Sequence, residues 1–155
     1  MRNDELEMAA IGGGNAELVA ALHRNGLPTD DLEESGRRFF GFRDAEGRRV
    51  GFIGVEWAGG DALLRSLVVE EDRRGRGFGQ RITRWALDWL QSQGARDVYL
   101  LTTTAATLAA RMGFRPVDRG EAPATIRATR QFAALCPASA VVMRLEQTGP
   151  GRHAR

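Results

Sequence analysis

There is no lysine in this 155-residue sequence; apart from the two histidines, every basic side chain is arginine. A phosphate loop of the Gly-Lys-Ser/Thr type is thereby excluded. One cysteine, Cys136, rules out an internal disulfide and suits a reducing compartment. No apolar run is long enough to span a bilayer. The opening MRNDELEMAA puts acids where a secretory leader has a basic and then an apolar region. No histidine–cysteine cluster is spaced for a metal, and no Ser-His-Asp set stands out. The net charge is only +2, with arginines scattered among acids rather than gathered in a stripe. These absences lead us to expect a cytoplasmic protein with no metal site, no membrane partner and no nucleic-acid partner.

What is present suits one globular domain. A length of 155 residues and a hydrophobic content of 43% allow a real core. We expect the domain to occupy 1–147, with 148–155 as a flexible tail. His153 in that tail is then an unlikely catalyst, and His23 falls on an exposed helix face.

The chain is organised around residues 63–90. Leu63, Leu64, Leu67, Val68 and Val69 read as a strand interrupted by Arg65 and Ser66. Gly75, Gly77 and Gly79 then fall on alternate residues. After them Phe78, Ile82, Trp85, Ala86, Trp89 and Leu90 recur at steps of three and four, the period of an amphipathic helix. Such a helix start exposes unpaired N–H groups and the positive end of the dipole. Glycines let a ligand approach those groups, and Arg73, Arg74 and Arg76 add forked donors. The natural guest is a phosphate or pyrophosphate. The spacing is not the Gly-x-Gly-x-x-Gly of a dinucleotide fold.

The run Arg74-Gly75-Arg76-Gly77-Phe78-Gly79 resembles the Arg/Gln-x-x-Gly-x-Gly/Ala signature of GNAT N-acetyltransferases. The preceding strand, and AATLAARMGF at 105–114, are similar to that family's neighbouring strand and its later helix ending in Gly-Phe. The resemblance implies a mixed α/β sheet of six or seven strands flanked by helices. It also implies acetyl-CoA as co-substrate, a small-molecule amine as partner and, as an option, a homodimer. Amides of Arg74, Gly75, Arg76, Gly77, Gly79 and Gln80 would hold the pyrophosphate. Backbone groups of Val68 and Val69 would pair with the pantetheine arm. Where the family usually has an asparagine on the cofactor, this chain has Thr102. Where it often has a tyrosine acid, this chain has Ala109, and Tyr99 is too far back to replace it. A finer resemblance, through GLPTDDL at 26–32, ALLRSL at 62–67, YLLTTT at 99–104 and 126–140, is to arsenic-resistance N-acetyltransferases. That likeness fixes no substrate, and a lone Cys136 makes no multi-thiolate arsenic site.

The remaining segments supply candidates for the acceptor. Residues 5–11 read as a strand, with Asn15 as cap of a helix that ends near Gly26. Residues 27–32 read as a turn and short helix, in which Asp30 and Asp31 either meet an amine or serve as caps. Strands at 38–43 and 49–57 flank a hairpin turn at 44–47. Alternation groups Val50, Phe52, Gly54 and Glu56 on one face of the second strand. Glu56 is then either a general base, fitted by burial, or a solvent-exposed strand end. A strand is expected at 98–101, a helix at 105–112 closed by Gly113, and a strand from 114. Residues 122–135 read as one helix, before a last strand reaching 143. Arg127 and Arg130 share a face of that helix. Arg65 either contacts a substrate anion or pairs with a nearby acid such as Glu56. With Arg65 the two helix arginines either clamp an acidic amine or pair with Asp118, Glu121 or Glu146. An acetyltransferase using direct amine attack is the first functional expectation. A non-catalytic acyl-CoA-binding regulator is the alternative.

Overall fold

The computed structural model describes residues 5–135 and 139–147; Cys136 and the expected tail lie outside them. Seven strands form one mixed sheet in the order β1-β2-β3-β4-β5-β7-β6. β1 (Glu7–Ile11), β2 (Arg37–Arg43), β3 (Arg49–Ala58) and β4 (Asp61–Val69) make an antiparallel meander. α2 (Phe78–Ser92) then crosses over to β5 (Asp97–Thr102), which pairs with β4 in parallel. β7 (Val141–Glu146) is antiparallel to β5 and to β6 (Arg115–Val117).

Helices cover both faces, because successive strand side chains point to opposite sides. On one face α2 sets Phe78, Ile82, Ala86 and Leu90 against Phe40, Ile53 and Val55. Trp85 and Trp89 pack edge-on to Phe40 at 4.7 and 5.2 Å. α3 (Ala106–Arg111) joins that core through Ala109. On the other face α1 (Ala16–Arg24) packs Leu18, Ala21 and Leu22 on Phe39, Phe52 and Val68. Asn15 caps it, accepting from the Leu18 amide at 3.0 Å. α4 (Ala124–Arg127) places Ile126 beside Leu63, Tyr99 and Val142.

Three local expectations change. Val50 packs with Ile53 rather than on the Phe52 face. A bulge opposite the Phe42–Arg43 step inserts one residue and turns it over. No helix forms between 27 and 32, since Asp31 is drawn fully inside. Residues 122–135 are not one helix. Thr129 interrupts them: its hydroxyl donates to the Ile126 carbonyl at 2.7 Å and accepts from the Phe132 amide at 3.2 Å. A π-helical turn at Gln131–Leu135 follows.

Candidate active site

β4 and β5 pair only at Ala62–Val98 and Leu63–Tyr99. Beyond that point they diverge. The cause lies in β4, where Phe52 faces Val68 but Gly54 faces Arg65, so β4 carries an extra residue. Ser66 takes φ 60°, a left-handed conformation that a non-glycine residue adopts at a cost. The bulge bends β4 away from its parallel neighbour and leaves an edge with no strand partner past Leu63. A cavity of about 140 Å³ fills the wedge. Leu64, Leu67, Leu100 and Leu108 make it apolar; Arg65, Ser66, Thr83 and Thr102 supply its polar groups. Val68 is buried and Val69 half-buried at the end of β4, beyond the cavity lining.

At that end the chain enters the glycine turn. Gly75 and Gly77 have φ 80° and 83°, and Gly77 caps α2 with no side chain bonded to its free amides. A Cβ on either glycine would meet nothing within 4 Å, so the ground over the helix start is open. Gly79 serves differently: a Cβ there would lie 3.4 Å from Leu108 and 3.7 Å from Val69, where α2 packs closely. Gln80 is exposed in the first helical turn. Of the three arginines expected to face an anion, two turn to the protein. Arg73 pairs with Asp44. Arg74 donates to the Val69 carbonyl and to Asn25 Oδ1, both at 2.9 Å. Arg76 alone of the three stays exposed with no partner among the described residues. Thr102 uses its hydroxyl locally, accepting from the Thr104 and Ala105 amides at 3.1 and 2.7 Å. Ala109 lines the cavity, while Tyr99 is buried in the cluster around Ile126, where burial pushes its hydroxyl up.

The inner end of the wedge is charged. Arg65 holds Asp31 with two parallel bonds of 2.7 Å and Glu56 Oε1 with one of 3.0 Å. Its Nε donates to Ser66 Oγ at 3.2 Å, tying the guanidinium to the bulge. Arg37 closes the far side, with Nη2 2.9 Å from Asp31 Oδ2 and 3.3 Å from Glu56 Oε2. Glu56 is therefore buried, as its apolar strand suggested, but each of its oxygens faces a guanidinium. Burial alone would raise the Asp31 carboxyl; hydrogen bonds from Arg65 and Arg37 outweigh it and hold the group at about 2. Glu34 extends the chain of charges, 3.5 Å from Arg37 and paired with Arg130. The structure thus links Arg65 and Arg130. It leaves Arg127 apart, its Nε bonded to the Ala122 carbonyl at 3.0 Å. Neither helix arginine pairs with Asp118, Glu121 or Glu146.

A family model described as an acetyltransferase (GNAT) domain matches residues 35–116. Among solved structures, N-acetylglutamate synthase from Neisseria gonorrhoeae, complexed with coenzyme A and N-acetyl-glutamate, superposes with a TM-score of 0.75 at 18% identity. That match takes in 93% of this chain but only 35% of the synthase. A GNAT-family acetyltransferase from Staphylococcus aureus gives 0.63 at 18% identity, over 92% of this chain and 100% of the other. A chimeric spermidine N-acetyltransferase from Vibrio cholerae gives 0.66 at 16%, over 92% and 96%. At these identities the likeness is one of fold. No curated protein matches the sequence.

The Asp31 environment makes an acid-sensitive prediction. A carboxyl held below its ordinary 3.8 adds stability that is fully present above that pH and is lost as the pH falls toward about 2. Asp31→Asn is expected to cost about 3 kcal/mol in urea unfolding at neutral pH, since two buried guanidiniums lose their shared anion. It should also flatten the dependence of stability on pH in that acid window. A variant as stable as the parent, with an unchanged acid limb, would show that the pairs contribute nothing.

Proposed function

The chain belongs to the GNAT acetyltransferase family, and from that premise we propose that it transfers acetyl from acetyl-CoA to the primary amine of a small molecule. One observation carries the reading: the β4–β5 wedge is lined by Arg65 and Ser66 at the bulge and by Leu108, which packs beside Gly79 of the glycine turn. That continuity supports a ligand with a phosphate end, an extended arm and a reactive tip. Free amides of the turn suit the pyrophosphate. The unpaired β4 edge around Val68 and Val69 suits an arm that bonds as a strand would. The apolar wedge suits the thioester. The amine nitrogen attacks the thioester carbonyl directly, the carbon–sulfur bond breaks, and no enzyme-bound acyl group is needed.

Within this reading Glu56 takes the proton from the amine, directly or through water. Its burial and its contact with Arg65, which lines the cavity, support that place. Base work requires one of its two ion pairs to open. Opposite it, Ala109 supplies no acid, so the departing thiolate takes its proton from water or leaves unassisted. For the acceptor we propose an amine that also bears an acidic group. The resemblance to arsenic-resistance N-acetyltransferases, which runs through Asp31, Arg65 and Ser66, suggests an amino acid-like oxyacid. Arg65, Arg37 and Arg130 at the inner end are paired with Asp31, Glu56 and Glu34, so an anionic acceptor binds there by displacing one of those carboxylates from its guanidinium.

Three experiments bear on these proposals. Gly77→Val should weaken CoA binding by at least tenfold in calorimetry, since its side chain covers the turn's amides and resists a positive φ. Unchanged affinity in a folded variant would remove the turn from cofactor binding. Glu56→Gln should lower turnover by about 100-fold or more and alter the pH profile of kcat/KM. A stability loss with the pH profile intact would instead assign Glu56 to holding Arg65. Thiol release from acetyl-CoA with a panel of amines should favour anionic acceptors, with Arg130→Ala raising their KM. Equal rates for cationic amines would refute the anion clamp. Tight CoA binding with no turnover on any amine would favour a regulatory acyl-CoA-binding protein.

A further inference from the structure

Most arginines among the described residues have a partner. Arg37, Arg43, Arg49, Arg65, Arg73, Arg130 and Arg144 all sit on carboxylates. The side chains of Arg81, Arg84 and Arg111 do not: among the described residues they make no hydrogen bond or ion pair, and the same holds for Arg38, Arg48, Arg76 and Arg115. Arg81 only rests its guanidinium over the Phe78 ring, 5.4 Å from its centre. All three are exposed, and all three line one groove, a cavity of about 500 Å³ between α2 and the end of α3. Gln80, Trp85 and Met112 complete its walls, and Asp88 is its one acid.

The position of the groove identifies its chemistry. Gln80 and Arg81 belong to the first turn of α2, so the groove begins where the glycine turn ends. Arg84 lies seven residues past Gly77, on the order of 10 Å along the helix axis. Arg111 reaches the same space from the last turn of α3. Three uncompensated guanidiniums against one carboxylate repel one another until an anion enters. A phosphomonoester carries close to two charges at neutral pH and accepts forked donors from several arginines at once. Resting on the acetyl-CoA reading above, we propose that Arg84 and Arg111, with Arg81 at the rim, bind the 3′-phosphate of the CoA nucleotide. The groove, rather than the turn alone, then selects CoA over carriers that lack this group.

Calorimetry with CoA and with 3′-dephospho-CoA tests the assignment. The parent protein should bind CoA about tenfold or more tighter than the dephospho form, and the advantage should shrink as salt is raised. Arg84→Ala and Arg111→Ala should each lower CoA affinity and leave dephospho-CoA affinity unchanged, so that the double variant binds both alike. Equal affinity of the parent for the two ligands would overturn the proposal while leaving the turn's role intact. So would a preference that survives in the double variant. Failure to bind either ligand would refute the acetyl-CoA reading itself.

Discussion

A guanidinium cannot be buried without its counter-ions, and the inner half of this molecule is arranged around that constraint. Arg65 points from the central strand into the protein, with only 6% of the residue exposed. An isolated charge there would cost several kcal/mol even after relaxation. Asp31 answers it with a two-pronged contact, Glu56 with a third bond and Arg37 with a balancing charge. Two anions and two cations leave no net charge inside. Each partner comes from a different piece of chain: Asp31 from the loop after α1, Arg37 from β2, Glu56 from β3 and Arg65 from β4. The loop is thereby pinned across the sheet without a helix of its own. Such a network is a poor source of net stability, because apolar residues of equal volume would do as well. Its contribution is to fix where the loop lies and which way Arg65 faces.

The same residue sets the geometry of the wedge. Arg65 begins the β4 bulge, and its Nε holds the hydroxyl of Ser66, whose backbone takes the strained left-handed conformation. Glycine at position 54 of β3 accommodates this: a Cβ there would lie 2.6 Å from the Phe39 ring and 3.2 Å from Arg65 Cγ. A straight β4 would continue its ladder with β5 and leave no edge free. The bulge ends the pairing after Leu63 and keeps the strand's backbone available. Packing, strain and access to the site are thus one device, and a change at Gly54 or Ser66 acts on all three.

Much of this was legible from residue patterns, and the exceptions share a cause. The alternate glycines before a 3.6-period apolar face located both the turn and α2. The strand at 63–69 was marked by its apolar run, and Arg65–Ser66 by the break in it. Pairing of Arg65 with Glu56 is one of the readings of that break and is present, but its two-pronged partner Asp31 lies 34 residues away, beyond the reach of local spacing. From the sequence Asp31 looks like one of two adjacent helix caps; in the fold it is the most buried acid of the site. Val50 left its expected face because a bulge depends on the partner strand's register as well as on its own sequence. Thr129 broke an expected helix because its hydroxyl competes for backbone groups, a preference too weak to outrank apolar periodicity on paper. Arg73 and Arg74 were placed at the turn correctly in sequence, but their side chains found Asp44, Asn25 and the Val69 carbonyl first.

That last point bears on how a nearly neutral protein can present a strong local field. Screening limits the reach of exposed charges to about 10 Å at ordinary ionic strength, so net charge says little about any one surface. What matters is which arginines remain after the acids are assigned. Here Glu17 of α1, Asp31 and Glu34 of the loop, Glu56 of β3 and the acids of the β5–β7 pair neutralise the inner and edge arginines. Among the described residues Arg76, Arg81, Arg84 and Arg111, around the start of α2 and the adjoining end of α3, are left without them, as are the scattered Arg38, Arg48 and Arg115. The positive end of the α2 dipole adds to the same region. Substituting lysine for arginine would keep the net charge but lose the planar forks that hold Asp31 inside and suit phosphate outside. A composition that is all arginine and no lysine therefore gives buried two-pronged pairing at Arg65 and leaves exposed forked donors around the start of α2.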